Sequence, residues 1–483
     1  PVLLGINYTQ KENTFNDFDL QLLLPQKQSE KGAPLAIGDI NNDGLEDLFI
    51  GNAKDAAGAL YTQKTDGTFT KTNQDLFNLE AIYEDSDAQF IDIDNDSDLD
   101  LFITSGGYEL QENSKLLQDR LYLNNGTGQF KKSKLFENLS QTKKVLFSDY
   151  DRDGDLDAFL VGGVKHGKYP LSNNSYLLEN EKGIFKDVTS TRLIGKTNLK
   201  LVNDAVFTDF DTDGDLDLIV VGEWMPILFY ENVNNTFSEK HIPGLSNNNG
   251  WFQTIKQADI NQDGLTDYLI GNWGNNNKFH PSKENPLHLY ADYFDENETF
   301  DIVLSTISKT GDLIPVRGKE CSSQQNPFIK NKLKTYKEFA VSTLPDIYGQ
   351  NLLETAYHFK AHSFSSTLLI NQGNSVFEIK KLPKHAQFSP TLSFETHDFN
   401  NDGYLDVFGV GNVFDAEVET IRYDASKGYV LLGDDKETFI YLNDSSYLND
   451  GEAKVIKKIV LNEVVHFIIL NKNNSLKILK LKK

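Results

Sequence analysis

Cysteine is nearly absent from this chain. Cys321 is the only one in 483 residues, so no internal disulfide staples the fold and a small disulfide-rich scaffold is excluded. Methionine also occurs once, at Met225. Pro1 is therefore not an initiator, and the remainder of a longer polypeptide is expected N-terminal to it. No apolar run reaches the length of a membrane-spanning helix, and no secretory leader is visible. Basic residues are scarce, 47 Lys and Arg against 71 Asp and Glu, for a net charge of −24. No Lys/Arg cluster is interleaved with aromatics, so nucleic acid is not an expected partner. G-x-S-x-G, H-E-x-x-H and Cys/His constellations are missing too, which removes the commonest nucleophilic and zinc hydrolases.

What is abundant is acid, and it is concentrated. Six segments repeat one pattern of nine residues, with a carboxylate or its amide at alternate positions, a small residue sixth and Asp ninth. They read DINNDGLED, DIDNDSDLD, DYDRDGDLD, DFDTDGDLD, DINQDGLTD and DFNNDGYLD. Positions 1, 3, 5 and 9 supply side-chain oxygens, and position 7 can add its backbone carbonyl. The candidate ligand sets are Asp39, Asn41, Asp43, Leu45 and Asp47, then Asp92, Asp94, Asp96, Asp98 and Asp100. The third and fourth are Asp149, Asp151, Asp153, Asp155 and Asp157, and Asp209, Asp211, Asp213, Asp215 and Asp217. The last two are Asp259, Asn261, Asp263, Leu265 and Asp267, and Asp398, Asn400, Asp402, Tyr404 and Asp406.

Hard oxygen donors at this density point to Ca²⁺, which takes six to eight oxygens in a flexible shell. About six calcium sites are expected, and six divalent ions would offset half of the net charge. An EF-hand is excluded because position 12, its bidentate Glu, is Ile50, Ile103, Leu160, Val220, Ile270 and Gly409. Gly at position 6 suits a left-handed turn. Ser97 replaces it in the second copy, so that loop is expected to be strained or weaker. Asn41, Asn261 and Asn400 lower the ligand charge of their loops.

Each acidic loop lies between strand-like stretches, so each is the turn of a hairpin. Loop starts are spaced 53, 57, 60 and 50 residues apart, then 139, periods that indicate a propeller or array. A second hairpin follows each loop, as in LYLNNGTGQF, ILFYENVNNTF and TLLINQGNSVF. Two hairpins per period make a four-stranded antiparallel blade. The fold expected is all-β, a single propeller over 1–483 with seven or eight blades. Regular blades span about 35–304, and a sixth lies in the long interval (about 305–390). The last blade and ring closure occupy about 391–483, completed by an N-terminal strand such as DFDLQLLL. Apolar residues at helical spacing, Phe328, Leu333, Tyr336 and Phe339, predict a helical insertion over about 326–357.

The loops, their flanking strands and the LYLNNGxGxF hairpins resemble FG-GAP/VCBS repeats, the blades of integrin α-subunit propellers and of many bacterial surface proteins. GEWMP (222–226), GWFQTI (250–255), GNWGNNNKF (271–279), NPLHLY (285–290) and RYDAS (422–426) narrow the resemblance to the C-terminal propeller of long Bacteroidetes VCBS-repeat proteins. That resemblance implies an extracellular place at the outer-membrane surface, lipid-anchored or secreted.

Two candidate ligand regions stand out. Trp224, Trp251 and Trp273, with Asn272, Asn275, Asn276 and His280, form either an aromatic and amide platform for sugar rings or packing between blades. Arg317, Arg422 and Asp424 could converge at the channel mouth if the insertion folds over it. The reading favoured is a calcium-stabilised binding or adhesion module for a glycan or protein rather than an enzyme. The alternative is a polysaccharide lyase or glycoside hydrolase, for which Glu223, Glu320 and Asp424 are the carboxylates not committed to loops.

Overall fold

The computed structural model describes residues 4–194, 199–417 and 419–481. Its second strands explain the architecture best. Each is a continuous apolar run whose successive side chains face opposite ways, so both faces must be covered. Leu48 and Ile50 enter one hydrophobic cluster while Phe49 enters the next. Leu101 and Ile103 share that second cluster with Phe49, and Phe102 points into a third. The alternation continues through Phe159, Ile219, Leu269 and Phe408 until Ile468 and Leu470 return to the cluster of Leu48. Seven clusters thus separate seven antiparallel sheets, and the last sheet packs on the first.

The inner strands of these blades are Leu35–Gly38, Asp85–Ile91, Thr142–Ser148, Leu201–Thr208, Thr254–Ala258, Thr391–His397 and Ala453–Leu461. Five blades carry four strands in chain order; the fourth adds Leu193–Ile194 beside its outer strand and Gly250–Trp251 beside its second; the last has three, extended by an isolated bridge between Thr9 and Ser475. Closure therefore comes from the segment around Thr9, with Ile6 and Tyr8 buried between the last blade and the first. The expected closing strand DFDLQLLL does not form. Asp17–Asp19 is a 3-10 turn, and Leu23 and Leu24 pack into a cluster outside the ring.

The long interval holds no blade of its own. Blade five pairs Thr254–Ala258 and Asp267–Gly271 with Thr367–Asn371 and Phe377–Lys381. Between its second and third strands a further sheet is inserted, formed by Leu287–Asp292, Asp301–Ile307, Leu313–Pro315 and Tyr357–Ala361. Five short helices from Lys319 to Thr355 join its last two strands. One face of this inserted sheet, with Leu287, Leu289, Ile302 and Leu304, joins Leu23, Leu24 and all three tryptophans in one apolar cluster. The opposite face packs under the helices through Tyr290, Val303, Ile329, Leu344 and Ile347. The sheet lies on the end of the ring away from the acidic loops and acts as a cap.

Asparagines at the ends of third strands tie blades together. Asn124 Nδ2 donates to the carbonyl of Ile40 in the preceding blade's loop at 2.7 Å, and to Leu99 at 3.1 Å. Asn180 repeats this with Ile93 and Leu156, Asn232 with Tyr150 and Leu216, and Asn371 reaches Phe210. The carbonyls in the preceding blade are buried, and removing their donor leaves them unsatisfied at about 1–3 kcal/mol. Asn232→Ala is expected to destabilise the fold by that amount in urea unfolding. A midpoint equal to that of the parent chain would show that the contact does not hold the wedges together.

Candidate metal centres

Each acidic loop folds on its own carboxylates before any ion is considered. The backbone N–H at position 6 donates to the position 1 carboxylate in all six copies, from 2.7 Å in Gly44 to Asp39 up to 3.2 Å in Gly154 to Asp149. The N–H at position 7 donates to position 5 in all six, at 2.8 to 3.0 Å. Positions 4 and 6 both take the left-handed conformation, for example Asn42 at φ 59° and Gly44 at 81°. Ser97 adopts it at φ 73° and keeps the same bond to Asp92. The second loop therefore has the same shape as the others, at the cost of a side chain in a region glycine prefers.

The ninth-position Asp anchors the loop to the sheet. Its Oδ1 accepts a backbone N–H from the end of the third strand in every copy: Gln63, Asn124, Asn180, Asn232, Asn371 and Gly433, at 2.7 to 2.9 Å. Position 4 side chains then link neighbouring loops. Asn42 donates to Asp98, Asn95 to the Gly154 carbonyl, Gln262 to the Gly403 carbonyl, and Arg152 pairs with Asp215 at 3.1 Å. The loops so linked run along one face of the ring.

The six copies are not equivalent. In loops with Asp at position 3, carboxylate oxygens converge: Asp92, Asp94 and Asp96; Asp149, Asp151 and Asp157; Asp209, Asp211 and Asp217 each bring oxygens within 4.8 Å of one another. Among the described residues, Asp94 Oδ1, Asp149 Oδ1, Asp157 Oδ2 and Asp211 Oδ1 are buried without a hydrogen-bond donor. All four lie in these three loops. In the other three the position 3 amide supplies its own donor. Asn41 bonds Asp43 at 3.1 Å, Asn261 bonds Asp263 at 3.0 Å and Asn400 bonds Asp402 at 2.8 Å. A carboxylate oxygen buried without a proton or a cation is costly. The first group therefore fits a metal ion better than the second. In the fourth loop Lys240 already reaches Asp211 at 2.9 Å, leaving Asp211 Oδ1 free.

Two further acidic groups do not fit an ion. Cys321 gathers with Glu417 and Glu419, but burial pushes the thiol up to about 11 and Glu417 is paired with Arg317. The segment 293–301 is a partial copy of the repeat, with Asp295, Asn297 and Asp301 at positions 3, 5 and 9 but Tyr293 at position 1, and its Asp301 oxygens are taken by Asn326 and Thr299.

The predicted ligand platform is corrected by the structure. Trp224, Trp251 and Trp273 are at most 1% exposed. Trp251 stacks on Trp273 with centroids 4.3 Å apart, and Trp224 lies 5.0 Å from Trp251. The cap covers them, because a chain that inserts a sheet there needs apolar area to seat it. Asn272 is wholly buried and holds the Trp251 and Trp273 N–H groups and the Ser363 and Ser365 carbonyls. Asn275 and Asn276 bond Ser365 and the Phe388 carbonyl, and exposed His280 borders the junction with the cap. Arg317 is consumed in a buried pair with Glu417 at 2.7 Å and a bond to Thr420. Arg422 is exposed over the Phe414 ring with Asp424 at 3.7 Å. Neither arginine lines the channel, so these groups do not converge at its mouth. The remaining carboxylates are also engaged separately: Glu223 accepts from the Tyr169 hydroxyl at 2.7 Å, and Glu320 from that of Tyr336.

Residues that do line the channel went unnoticed in the sequence. A cavity of about 430 Å³ is bounded by side chains from all seven inner strands, among them Asp87, Lys144, Asp204, Thr254 and Ser393. Each of these five stands five positions before its loop. A shared offset of polar residues in otherwise apolar strands was the available signal.

Among known proteins, a profile for an FG-GAP-like repeat matches residues 39–103 and 209–270. No curated protein sequence matches. Solved structures with a similar course include an Agrocybe aegerita lectin described as recognising non-reducing terminal N-acetylglucosamine, at 14% identity and a TM-score of 0.45 over 87% of this chain and 81% of that one. The V. cholerae biofilm matrix protein Bap1 aligns at 9% identity and 0.39 over 98% and 90%. Saccharomyces cerevisiae Sqt1 aligns at 10% and 0.42 over 99% and 100%. Among the described residues no helix is long and apolar enough to cross a membrane.

Burial pushes the ninth-position carboxyl up in every loop, to about 6 in Asp47, Asp267 and Asp406 and about 7 in Asp100, Asp157 and Asp217. A raised acid favours the metal-free fold below the unfolded value near 4, and that contribution disappears as pH rises through 6 to 7. Metal-stripped protein is therefore expected to lose thermal stability between pH 4 and 7, with added divalent cation restoring it most at the upper end. A cation effect of equal size at pH 4.5 and 7.5 would contradict this account.

Proposed function

We propose that this protein is a calcium-held β-propeller that works outside the cell as a binding module for a glycan or protein ligand. The observation that supports calcium most directly is that, of the six loops, those of blades two, three and four hold buried, donorless carboxylate oxygens, four in all among the described residues, and there the carboxylates converge. Asp92, Asp94, Asp96 and Asp100, and their counterparts in the next two blades, would hold the ion, with the position 7 carbonyl completing an all-oxygen shell. The loops of blades one, five and six would bind more weakly through Asn41, Asn261 and Asn400. Bound ions would neutralise the turn on which each hairpin pivots and stiffen one face of the ring. A calcium-rich extracellular fluid is where such sites fill, which supports the placement. The reading as a binder rather than a hydrolase draws on how the candidate carboxylates are used: Glu223, Glu320 and Asp424 are each held by a different partner, Tyr169, Tyr336 and Arg422, whereas glycoside hydrolysis needs a facing pair at a fixed separation.

Calcium titration of stripped protein by calorimetry is expected to resolve a tighter class of about three sites from a weaker class. Asp151→Asn should move one site between classes. One uniform class unaffected by that substitution would count against the assignment. For the binding role, a glycan array probed with and without chelator should give calcium-dependent spots and no depolymerised products. New reducing ends or unsaturated sugars would favour an enzyme instead.

A further inference from the structure

The channel holds chemistry that neither the loops nor the cap uses. Its 430 Å³ cavity falls within the range of about 300–1,000 Å³ for small-molecule pockets. In a chain of net charge −24, it gathers six lysines: Lys31, Lys143, Lys144, Lys256, Lys454 and Lys457. Three have a carboxylate within ion-pair distance: Lys144 with Asp204, Lys256 with Glu395 at 3.3 Å and Lys454 with Glu452 at 2.7 Å. Among the described residues Lys31, Lys143 and Lys457 have none. Among the described residues Lys143 donates only to the neutral amide oxygen of Asn203, and Lys31 has no hydrogen bond.

The acids facing the cavity are already engaged. Asp85 pairs with buried Arg120, Asp87 accepts the Val145 N–H at 3.1 Å, and Glu84 accepts the Lys54 N–H at 2.6 Å. Of the carboxylates behind it, Glu223 takes the Tyr169 hydroxyl and the Asn203 amide, and Asp17 takes the Gln28 and Ser29 N–H groups. Burial and the neighbouring Lys143 ammonium push Lys31 down to about 7, and burial lowers Lys143 as well. Lys31, Lys143 and Lys454 line the same cavity, the first two half-buried, and like charges that share a partly desolvated space are mutually unfavourable. One anion between Lys31 and Lys143 would relieve both.

We propose that the channel cavity binds a small ligand through an oxyanion, a carboxylate or a phosphate, seated between Lys31 and Lys143 with Lys454 beside it. Both sources offer the same charge and the same acceptor oxygens, and the side-chain oxygens of Gln141 and Gln253, which share the cavity, suit the hydroxyls of an acidic sugar. The assignment deepens the binding-module reading and rests on it. It places the recognition inside the ring, however, and not on the surface that a glycan array samples.

The test is calorimetry on the full, calcium-loaded chain with three probes: glucuronate, glucose 6-phosphate and glucose. At least one acid should bind and glucose should not, and the acid that binds identifies the oxyanion. Lys31→Met and Lys143→Met should each weaken that binding tenfold or more, while Lys143→Arg retains it. Because the Met variants remove a repulsion, their melting temperatures should not fall below the parent's. The same acid in excess should raise the melting temperature of the unsubstituted chain, a readout that needs no variant. Failure of both acids to bind, equal binding of glucose, or full binding by Lys143→Met would overturn the assignment. Calcium-dependent array signals that persist in the Met variants, with neither acid bound, would likewise overturn it while leaving the binding module standing. A silent array with acid bound would support the cavity and remove the surface reading.

Discussion

Carboxylate crowding at the hairpin turns is the constraint from which the rest of this molecule follows. Each turn places at least five acidic or amide side chains within nine residues, and its ninth residue is pinned under the end of the third strand. That Asp cannot move without releasing the blade's second hairpin. The turn's charge is thereby wired to the sheet: whatever neutralises the loop also steadies the contact between second and third strands. Because the asparagine that ends the third strand also reaches the preceding blade's loop in blades two to five, the effect passes from wedge to wedge through the first five blades.

The same repeat makes much of the fold legible. Alternating carboxylates, a left-handed sixth residue and an apolar run after the ninth specify strand, loop and strand, and period 2 in a run buried on both faces specifies a wedge between two neighbours. That the third strand's closing Asn recurs in LYLN, YLLEN, FYEN and LLIN was also visible, but its role was not. A residue that bonds a carbonyl more than eighty positions away has no local signature. The split among loops was only half readable. Asn41, Asn261 and Asn400 plainly lower ligand charge, yet that their amides would donate to position 5 needed coordinates.

What failed was inference from residue type to exposure. Three tryptophans within fifty residues, flanked by asparagines, read equally well as a platform or as packing. The inserted sheet decided the matter by covering them. Its presence was hidden because it interrupts blade five between second and third strands, so the long interval looked like room for another blade. Strand propensity cannot say which ring a strand joins. The channel lysines were missed for a related reason: the inner strands' polar positions are scattered over more than four hundred residues and meet only once the circle is closed.

Anomalous diffraction from crystals grown in calcium tests the central claim most directly. The account predicts calcium peaks between Asp92 and Asp100, Asp149 and Asp157, and Asp209 and Asp217, at full occupancy or nearly so, with weaker peaks in the three loops that carry Asn at position 3. An intact seven-bladed ring with no anomalous density in the loops of blades two, three and four would contradict it.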